Sequence, residues 1–318
     1  HFKFDELKSR VGYRYYNSTD SDTMWYGEFG ASSPANLEVW HREAPLKSQW
    51  PLDDVMNDTT LTYHNAVRAA SDLPWLETWL LKSRLEAAFG KFDTLPELVA
   101  AGQFYGAEGL RYAFDGPRRK GKNIGGMTNH DFSEPWSNLA GSYMVDYDGR
   151  TLMNFDFAKQ AFAPISLTLQ FDAILYTPAT GLQAELFLTS DAPAAVSGLR
   201  ASWVARDRQG KALDRGQIPA AISPLEVKSL GKIVVHPAGK SAEGVLFIEL
   251  HLEDSTGKLL VERVQVFARE GSAAPLGGLL GKSPAPVSRT TLAVTAAPVR
   301  VKGEGWFSWD ALDLVTVP

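Results

Sequence analysis

The feature that most constrains this chain is a change of texture at Ala163-Pro164. Downstream of it, apolar residues come in short runs: Ile165–Phe171, Leu182–Leu188, Leu199–Ala205, Ile233–His236, Val245–Leu252 and Leu259–Phe267. Turn tetrads such as Asp207-Arg208-Gln209-Gly210 and Asp254-Ser255-Thr256-Gly257 separate them. Several short strands with regular turns predict a β-sandwich, and residues 164–269 would make one immunoglobulin-like unit. His236 and His251 fall in these strands and read as structural.

Upstream, the rhythm is different. Thr23-Met24-Trp25-Tyr26-Gly27-Glu28-Phe29-Gly30 reads as a buried strand that follows the polar loop 17–22 and ends in a carboxylate between two glycines, where the backbone is free to turn. Ala31 to Asp58, with Pro34, Pro45 and Pro51, reads as a mostly irregular excursion whose Trp40 and Trp50 either pack or line a site. Helical patterning runs from Thr60 to Asp115, with apolar residues at three- and four-residue intervals through Trp75–Leu85. Thr94-Leu95-Pro96-Glu97 is a capping box with Pro in the first turn, opening a helix through Leu98, Phe104 and Leu110. Arg118, Arg119, Lys120 and Lys122 read as a solvated loop. Asn123–Phe132 is a second short strand, Asp146-Tyr147-Asp148-Gly149-Arg150 a turn, and Leu152–Phe162 an apolar-faced helix.

Strand, long helical region, strand, helix is the rhythm of the last part of a (β/α)8 barrel. Two strands cannot close one, since a complete TIM barrel has eight in about 250 residues. The fold class is therefore α/β followed by all-β. Its parts are 1–163 (the end of a barrel), 164–269 (the sandwich) and 270–318 (a Gly/Ala/Pro/Ser-rich linker, then strands of a further or docked β module). In a β/α barrel, catalytic side chains project from the carboxyl ends of strands, so Glu28 is the candidate reacting carboxylate.

Composition removes several alternatives. With 318 residues, 44% hydrophobic and 22% charged, the chain suits a globular protein of about two domains. A formal net charge of −5 gives no basic stripe for nucleic acid, and the apolar runs are far short of a membrane span. There is no cysteine, so neither disulfides nor thiolate chemistry are available. His1, His41, His64, His130, His236 and His251 are scattered without ligand spacing, so neither metal nor cofactor is predicted. No Gly-x-Ser-x-Gly supports a serine nucleophile. Gly277–Ser283 imitates a phosphate loop, but its spacing fails by one residue. His1-Phe2-Lys3-Phe4 carries neither initiator Met nor signal peptide, so the numbering is expected to begin inside a longer polypeptide.

Three blocks in the first half resemble the C-terminal part of the catalytic barrel of glycoside hydrolase family 2, particularly its β-mannosidase-like branch. Tyr26-Gly27-Glu28-Phe29-Gly30 is similar to the family's Ser-Glu-Phe-Gly nucleophile segment, with Gly27 in place of Ser. Gln103–Arg119, containing Ala107-Glu108-Gly109-Leu110-Arg111-Tyr112-Ala113, is similar to the helix before the last barrel strand. Glu134-Pro135-Trp136-Ser137-Asn138, then Asp146–Arg150 and Lys159–Pro164, resemble the Asn-Glu-Pro-Trp-Pro-Asn and Asp-Tyr-Tyr-Gly-Arg-Pro segments and the helix leading into a sandwich. The resemblance covers roughly residues 23–170. Two positions depart from it. His130 stands where a sugar-lining Trp is usual, and Ser133 where Asn is usual.

The resemblance implies a retaining exo-β-glycosidase whose nucleophile is Glu28. The acid/base Glu would follow an Asn on upstream polypeptide, in the same chain or a tightly held companion. Tyr26, Asn129, His130, Asp131, Glu134 and Trp136 are the candidate substrate contacts, with packing the alternative for Tyr26 and Trp136. It implies a carbohydrate substrate and a secreted or periplasmic setting, with any signal upstream of residue 1. β-Galactosidase, β-glucuronidase and exo-β-glucosaminidase are the rival activities. A non-catalytic carbohydrate-binding or scaffolding protein is the rival from another class.

Overall fold

A computed structural model describes residues 16, 25–44, 50–52, 64, 79–238 and 244–279, with Glu28 and Lys122 described by their backbone. The loop at 17–22, most of the helical pattern from 60 to 78 and the strands expected after residue 280 lie outside the described residues. The first part contains β1 (Trp25–Phe29), β2 (Ser33–Pro34), α1 (Leu37–Glu43), α2 (Lys82–Phe89) and α3 (Leu95–Arg119). It continues with β3 (Gly126–Asn129), β4 (Ala140–Gly141) and α4 (Met153–Ala161). β1 and β3 pair in parallel, which requires a crossover connection, and α3 lies within it.

α3 starts where the capping box predicts. The Glu97 amide donates to Thr94 Oγ1 (3.4 Å), while Glu97 Oε2 accepts from the Thr94 and Asp93 amides (3.2 and 2.9 Å). Its glycines mark close approaches of neighbouring chain. A Cβ on Gly102 would fall 2.6 Å from the Pro34 ring, on Gly106 2.5 Å from the Ser32 carbonyl oxygen, and on Gly116 2.6 Å from Tyr16 Cβ. The next face of the same helix carries aromatic packing. Phe114 meets Phe29 at 5.1 Å between ring centroids, and Tyr26 and Phe29 lie 6.5 Å apart beneath Tyr16.

Two expectations change here. The supposedly irregular stretch after Ala31 holds β2 and α1, and Trp40 on α1 is fully buried as a packing residue. The basic run is not a solvated loop. Arg118 and Arg119 close α3, Arg118 and Lys120 are buried, and the Lys120 ammonium donates to Tyr26 Oη at 2.7 Å. Arg118 reaches the Ala161 carbonyl and Asp191, so these cations act as internal ties.

The second part contains β5 (Ile165–Gln170), β6 (Leu175–Tyr176), β7 (Leu182–Ser190), β8 (Val196–Asp207) and β9 (Ala212–Ile222). β10 (Val227–Val235), β11 (Val245–Glu253) and β12 (Leu259–Arg269) complete it. They form a sheet of order β10-β7-β5 and another of order β6-β12-β11-β8-β9, antiparallel except for the short β6–β12 pairing. Period-two burial along β11 places Leu246, Ile248, Leu250 and Leu252 inside, in one apolar cluster with Leu167, Leu186 and Leu188 of the smaller sheet. β9 carries no sequence signal because Asp214, Gly216 and Pro219 are poor strand formers. It pairs only with β8 among the described strands, and an edge position is where Pro is tolerated. β10 begins earlier than its apolar run, through the polar Lys228 and Ser229 and a register shift before Gly231, and His236 lies just beyond its end.

α3 locks the two parts together. Arg263 of β12 donates to both Asp115 carboxylate oxygens (3.2 and 2.6 Å) and to Ser166 Oγ (2.9 Å). About one turn away, Arg111 holds Glu108 (2.6 and 2.8 Å) and donates to the Val264 carbonyl (3.0 Å). Residues 270–279 also pack: Leu276 is buried and its amide donates to the Ala88 carbonyl of α2 at 2.8 Å.

Candidate active site

The site begins where β1 and β3 end side by side. Tyr26 pairs with Met127 and Phe29 with Asn129, so β1 spends three steps where β3 spends two. The extra residue is a bulge. It leaves both Tyr26 and Phe29 facing α3 and puts Gly27 and Glu28 in the irregular step. Bulges concentrate next to active sites because they re-aim a side chain. The direction of the Glu28 side chain lies outside the described residues.

Beyond the bulge, the His130 amide donates to the Phe29 carbonyl (2.8 Å), tying the two strand ends together. Gly30 permits this. A Cβ there would fall 2.0 Å from the His130 carbonyl oxygen, so its role is close approach rather than the turning freedom expected from sequence. The His130–Asp131 peptide bond is cis.

The exposed groups of this rim come from the segment after β3. His130 Nδ1 lies 3.3 Å from Ser142 Oγ, and its Nε2 lies 2.9 Å from Asp131 Oδ1. The Asn129 side-chain amide donates to the Asp131 carbonyl (2.6 Å), while its Oδ1 is buried without a hydrogen-bond partner among the described residues. Glu134 accepts from the Trp136 amide (3.2 Å) and from Asn138 Nδ2 (2.9 Å). Burial pushes the Glu134 carboxyl above the usual carboxylate range. Its two donors offset part of that, and Asp131 adds to the rise while His130 opposes it.

Of the predicted contacts, Asn129, His130, Asp131 and Glu134 are therefore brought together, with Trp136 following on the same segment and half-exposed. Tyr26 lies apart. Its ring is buried in the core and its hydroxyl is held by Lys120.

Sequence reasoning missed the groups that hold this segment. Arg42 of α1 donates to Glu43 Oε1 (2.6 Å), to Ser137 Oγ (3.0 Å) and to Asp148. Ser137 Oγ donates to Glu43 Oε1 (2.6 Å), and His64 Nδ1 lies 2.8 Å from the Ser137 carbonyl. Asn36, at the start of α1, donates to Asp146 (2.8 Å) and accepts from Gln103 of α3 (3.1 Å). Burial raises the Glu43 and Asp148 carboxyls. Ser137, Arg42 and His64 around Glu43, and Arg42 and Arg150 around Asp148, outweigh it and hold both below the usual range. Among the described residues no three His, Asp or Glu side chains converge as a metal ion would need. No described helix is long and apolar enough to cross a membrane.

A cleft of about 430 Å³ opens elsewhere, between the β5–β6 loop and the ends of β7 and β10, beside Tyr176, Gln183 and Lys232. It contains none of the predicted site residues.

An α/β unit with polar side chains at the carboxyl ends of parallel strands, followed by antiparallel sheets, is the architecture present. Solved structures with a similar fold include a mannosidase and an exo-chitosanase. One is the β-D-mannosidase from Dictyoglomus thermophilum (TM-score 0.61, 15% identity, covering 87% of this chain and 30% of that one). Another is the exo-chitosanase of Amycolatopsis orientalis (TM-score 0.65, 18% identity, covering 82% of this chain and 30% of that one). At these identities the likeness is one of fold. The chain spans less than a third of the length of either. No protein-family model and no curated protein matches the sequence.

Proposed function

We propose that the protein is a retaining exo-β-glycosidase of the family 2 type, most like a β-mannosidase, with Glu28 as nucleophile. Residues 1–163 would be the C-terminal part of a (β/α)8 barrel and 164–269 an immunoglobulin-like sandwich. The observation that carries this reading is the juxtaposition at the strand ends. A glutamate in a bulge at the carboxyl end of β1 is tied through Phe29 and Gly30 to His130, Asp131 and Glu134 after the parallel β3. A fold shared with two glycosidases over more than four-fifths of the chain supports it.

In this mechanism a Glu28 carboxylate oxygen bonds to the anomeric carbon as the glycosidic C–O bond breaks. The acid/base glutamate protonates the leaving oxygen. That same residue then takes a proton from water, whose oxygen displaces Glu28 and releases the sugar. Retention needs the two carboxyl groups about 5–5.5 Å apart. The second carboxyl, and the strands that complete the barrel, would come from preceding polypeptide. Supporting this, Trp25 on β1 is 59% exposed, and β1 and β3 pair only with each other among the described strands. Asn129, His130, Asp131, Glu134 and Trp136 would contact the sugar.

The test uses the full-length polypeptide with a panel of aryl β-glycosides (mannoside, galactoside, glucoside, glucuronide, glucosaminide). Glu28→Gln is expected to lose roughly 10⁴-fold or more in kcat, the scale seen when a covalent nucleophile is removed from other hydrolases. A 2-deoxy-2-fluoro glycoside of the preferred sugar should label Glu28, read by peptide mass spectrometry. Undiminished turnover in Glu28→Gln removes Glu28 from the mechanism. Sugar binding without hydrolysis of any panel member would favour the carbohydrate-binding reading.

A further inference from the structure

The cleft beside Tyr176 lies at a corner where the two antiparallel sheets part. β5 ends at Gln170, paired with Glu185, but β7 extends to Leu182 with β10 along its other edge. The chain after Gln170 does not follow β7. It crosses to the larger sheet, where Leu175 and Tyr176 pair with Ala268 and Arg269 of β12. A strand that changes sheets makes such a corner. The cleft is lined there by β7 and β10 of the smaller sheet and by Tyr176 and Phe267 of the larger. Its volume, about 430 Å³, falls in the range of small-molecule sites, roughly 300–1,000 Å³.

Most of the lining is held by its own bonds. Phe171 packs on Phe267 at 4.9 Å between ring centroids, and the Tyr112 hydroxyl of α3 accepts from the Phe171 amide (3.3 Å) and donates to its carbonyl (2.8 Å). Thr177 Oγ1 accepts from the Thr180 amide (3.2 Å), and the Gln183 side-chain amide donates to the Thr180 carbonyl (3.3 Å). The Tyr176 hydroxyl differs. Its residue is 4% exposed, and the oxygen is buried with no hydrogen-bond partner among the described residues. A buried hydroxyl left unpaired is destabilising, and native structures seldom retain one. Burial, opposed by Arg269, raises its pKa, so it stays an O–H donor at neutral pH.

Charge narrows what it could donate to. Asp172, Glu185 and Lys232 line the cleft, with Lys232 opposite Glu185 in the β7–β10 register and Glu185 accepting from Ser229. The two carboxylates oppose an anionic ligand, and Lys232 opposes a cationic one. Gln170 and Gln183 supply neutral donors and acceptors beside aromatic carbon. A neutral pyranose matches that mixture, with hydroxyls around its edge and C–H groups on its faces.

We propose that this cleft is a non-catalytic site for a neutral mono- or disaccharide, with the Tyr176 hydroxyl donating to a sugar oxygen and Gln170 and Gln183 bonding its other hydroxyls. It goes beyond the glycosidase reading and does not depend on it, since no residue of the strand-end cluster lines the cleft.

Hydrogen exchange read by peptide mass spectrometry tests it on the full-length protein, because the readout is local. The probes are methyl β-glycosides of mannose, glucose and galactose, their β-linked disaccharides, glucuronate and glucosamine. At least one neutral sugar should slow exchange in peptides covering 171–185 and 232–236, at lower concentration than either charged sugar. Tyr176→Phe should raise the concentration for half-protection about fivefold, the worth of one hydrogen bond, and Glu28→Gln should not move it. A disaccharide that protects at lower concentration than its monosaccharide marks a glycan end as the ligand, and equal protection marks the free sugar; both support the site. The urea midpoint of Tyr176→Phe should stay level or rise, since the lost hydroxyl has no partner in the fold. No protection by any neutral sugar, protection indifferent to Tyr176→Phe, or a lowered midpoint overturns the proposal. Undiminished turnover in Glu28→Gln would sink the glycosidase reading and leave this site standing.

Discussion

The parallel pair β1–β3 and the two antiparallel sheets solve the same problem differently. The antiparallel sheets turn their apolar faces to one another, and residues such as Leu186, Leu188, Leu246 and Leu252 are fully buried between them. Each such side chain contributes roughly 1.5–3 kcal/mol of burial, and the same cluster takes in Tyr26, Phe29 and Phe114 of the first part. The β1–β3 pair buries Tyr26 and Phe29 on the α3 side only, while Trp25 lies largely in solvent. It is, among the described strands, a two-stranded pair kept in shape by α3, whose polar stripe is pinned to β12 and whose glycines admit the chain at 32–34. The lesson is that the candidate site sits where the apolar cluster of the sheets continues into the first part, which also has a separate cluster around Trp40, Leu98 and Tyr143, and that buried charges tie the two parts together.

The strongest way to break that arrangement is Asp115→Ala. Arg263 would remain buried with its carboxylate gone, a loss of about 3–5 kcal/mol. Burial already pushes the Arg263 guanidinium down from its ordinary value, and Asp115 is the first group opposing that. Urea unfolding should show the loss, and Asp115→Leu with Arg263→Met should recover much of it. A loss under about 1 kcal/mol would mean the two parts are not joined there.

Gly30→Ala comes next. Its Cβ would collide with the His130 backbone, so the strand ends must part at a cost of about 1–3 kcal/mol. Under the proposed function, turnover should fall further than stability alone explains, because His130 and Asp131 move. Thr94→Ala removes one side of the capping box and should cost about 1 kcal/mol. That is read in the same denaturation assay and should leave kcat unchanged.

The smallest effects are in pH dependence, and they run in opposite senses. Asp148 has a depressed pKa in the folded protein. Its contribution is therefore present above the ordinary aspartate range and is lost as pH falls through the folded value. Glu134 has a raised pKa, so its contribution is present below the ordinary glutamate range and is lost as pH rises through the folded value. Unfolding midpoints measured against pH should show Asp148→Asn flattening the acid limb and Glu134→Gln flattening the limb above it. The reverse assignment would contradict the burial of Glu134.

Much of this was legible in one dimension. β5, β7, β8, β11 and β12 coincide with apolar runs, because a strand facing a core must alternate or fill with branched and aromatic residues. α3 announced its own start, since a capping box is a local hydrogen-bond arrangement. β9 was illegible because an edge strand with one paired neighbour tolerates Asp214, Gly216 and Pro219. α1 hid in a proline-rich stretch because it is short and its amphipathic pattern covers barely two turns. The basic residues after Asp115 were misread because a charge run looks the same whether water or buried carbonyls receive it.

The site divides along the same line. The glutamate between glycines, the Asn129-His130-Asp131 strand end and the Glu134–Trp136 segment were visible as residues with chemistry at places where strands stop. That part depends on local sequence, where period, turns and caps are written within a few positions. Which of those residues face one another, the bulge that sets the step of Glu28, the reason for Gly30, and the Arg42 frame were decided only by tertiary structure. Arg42 meets Ser137 and Asp148 across 95 and 106 positions of chain. No local pattern encodes an ion pair over that distance, because its energy exists only once the fold has brought the partners together.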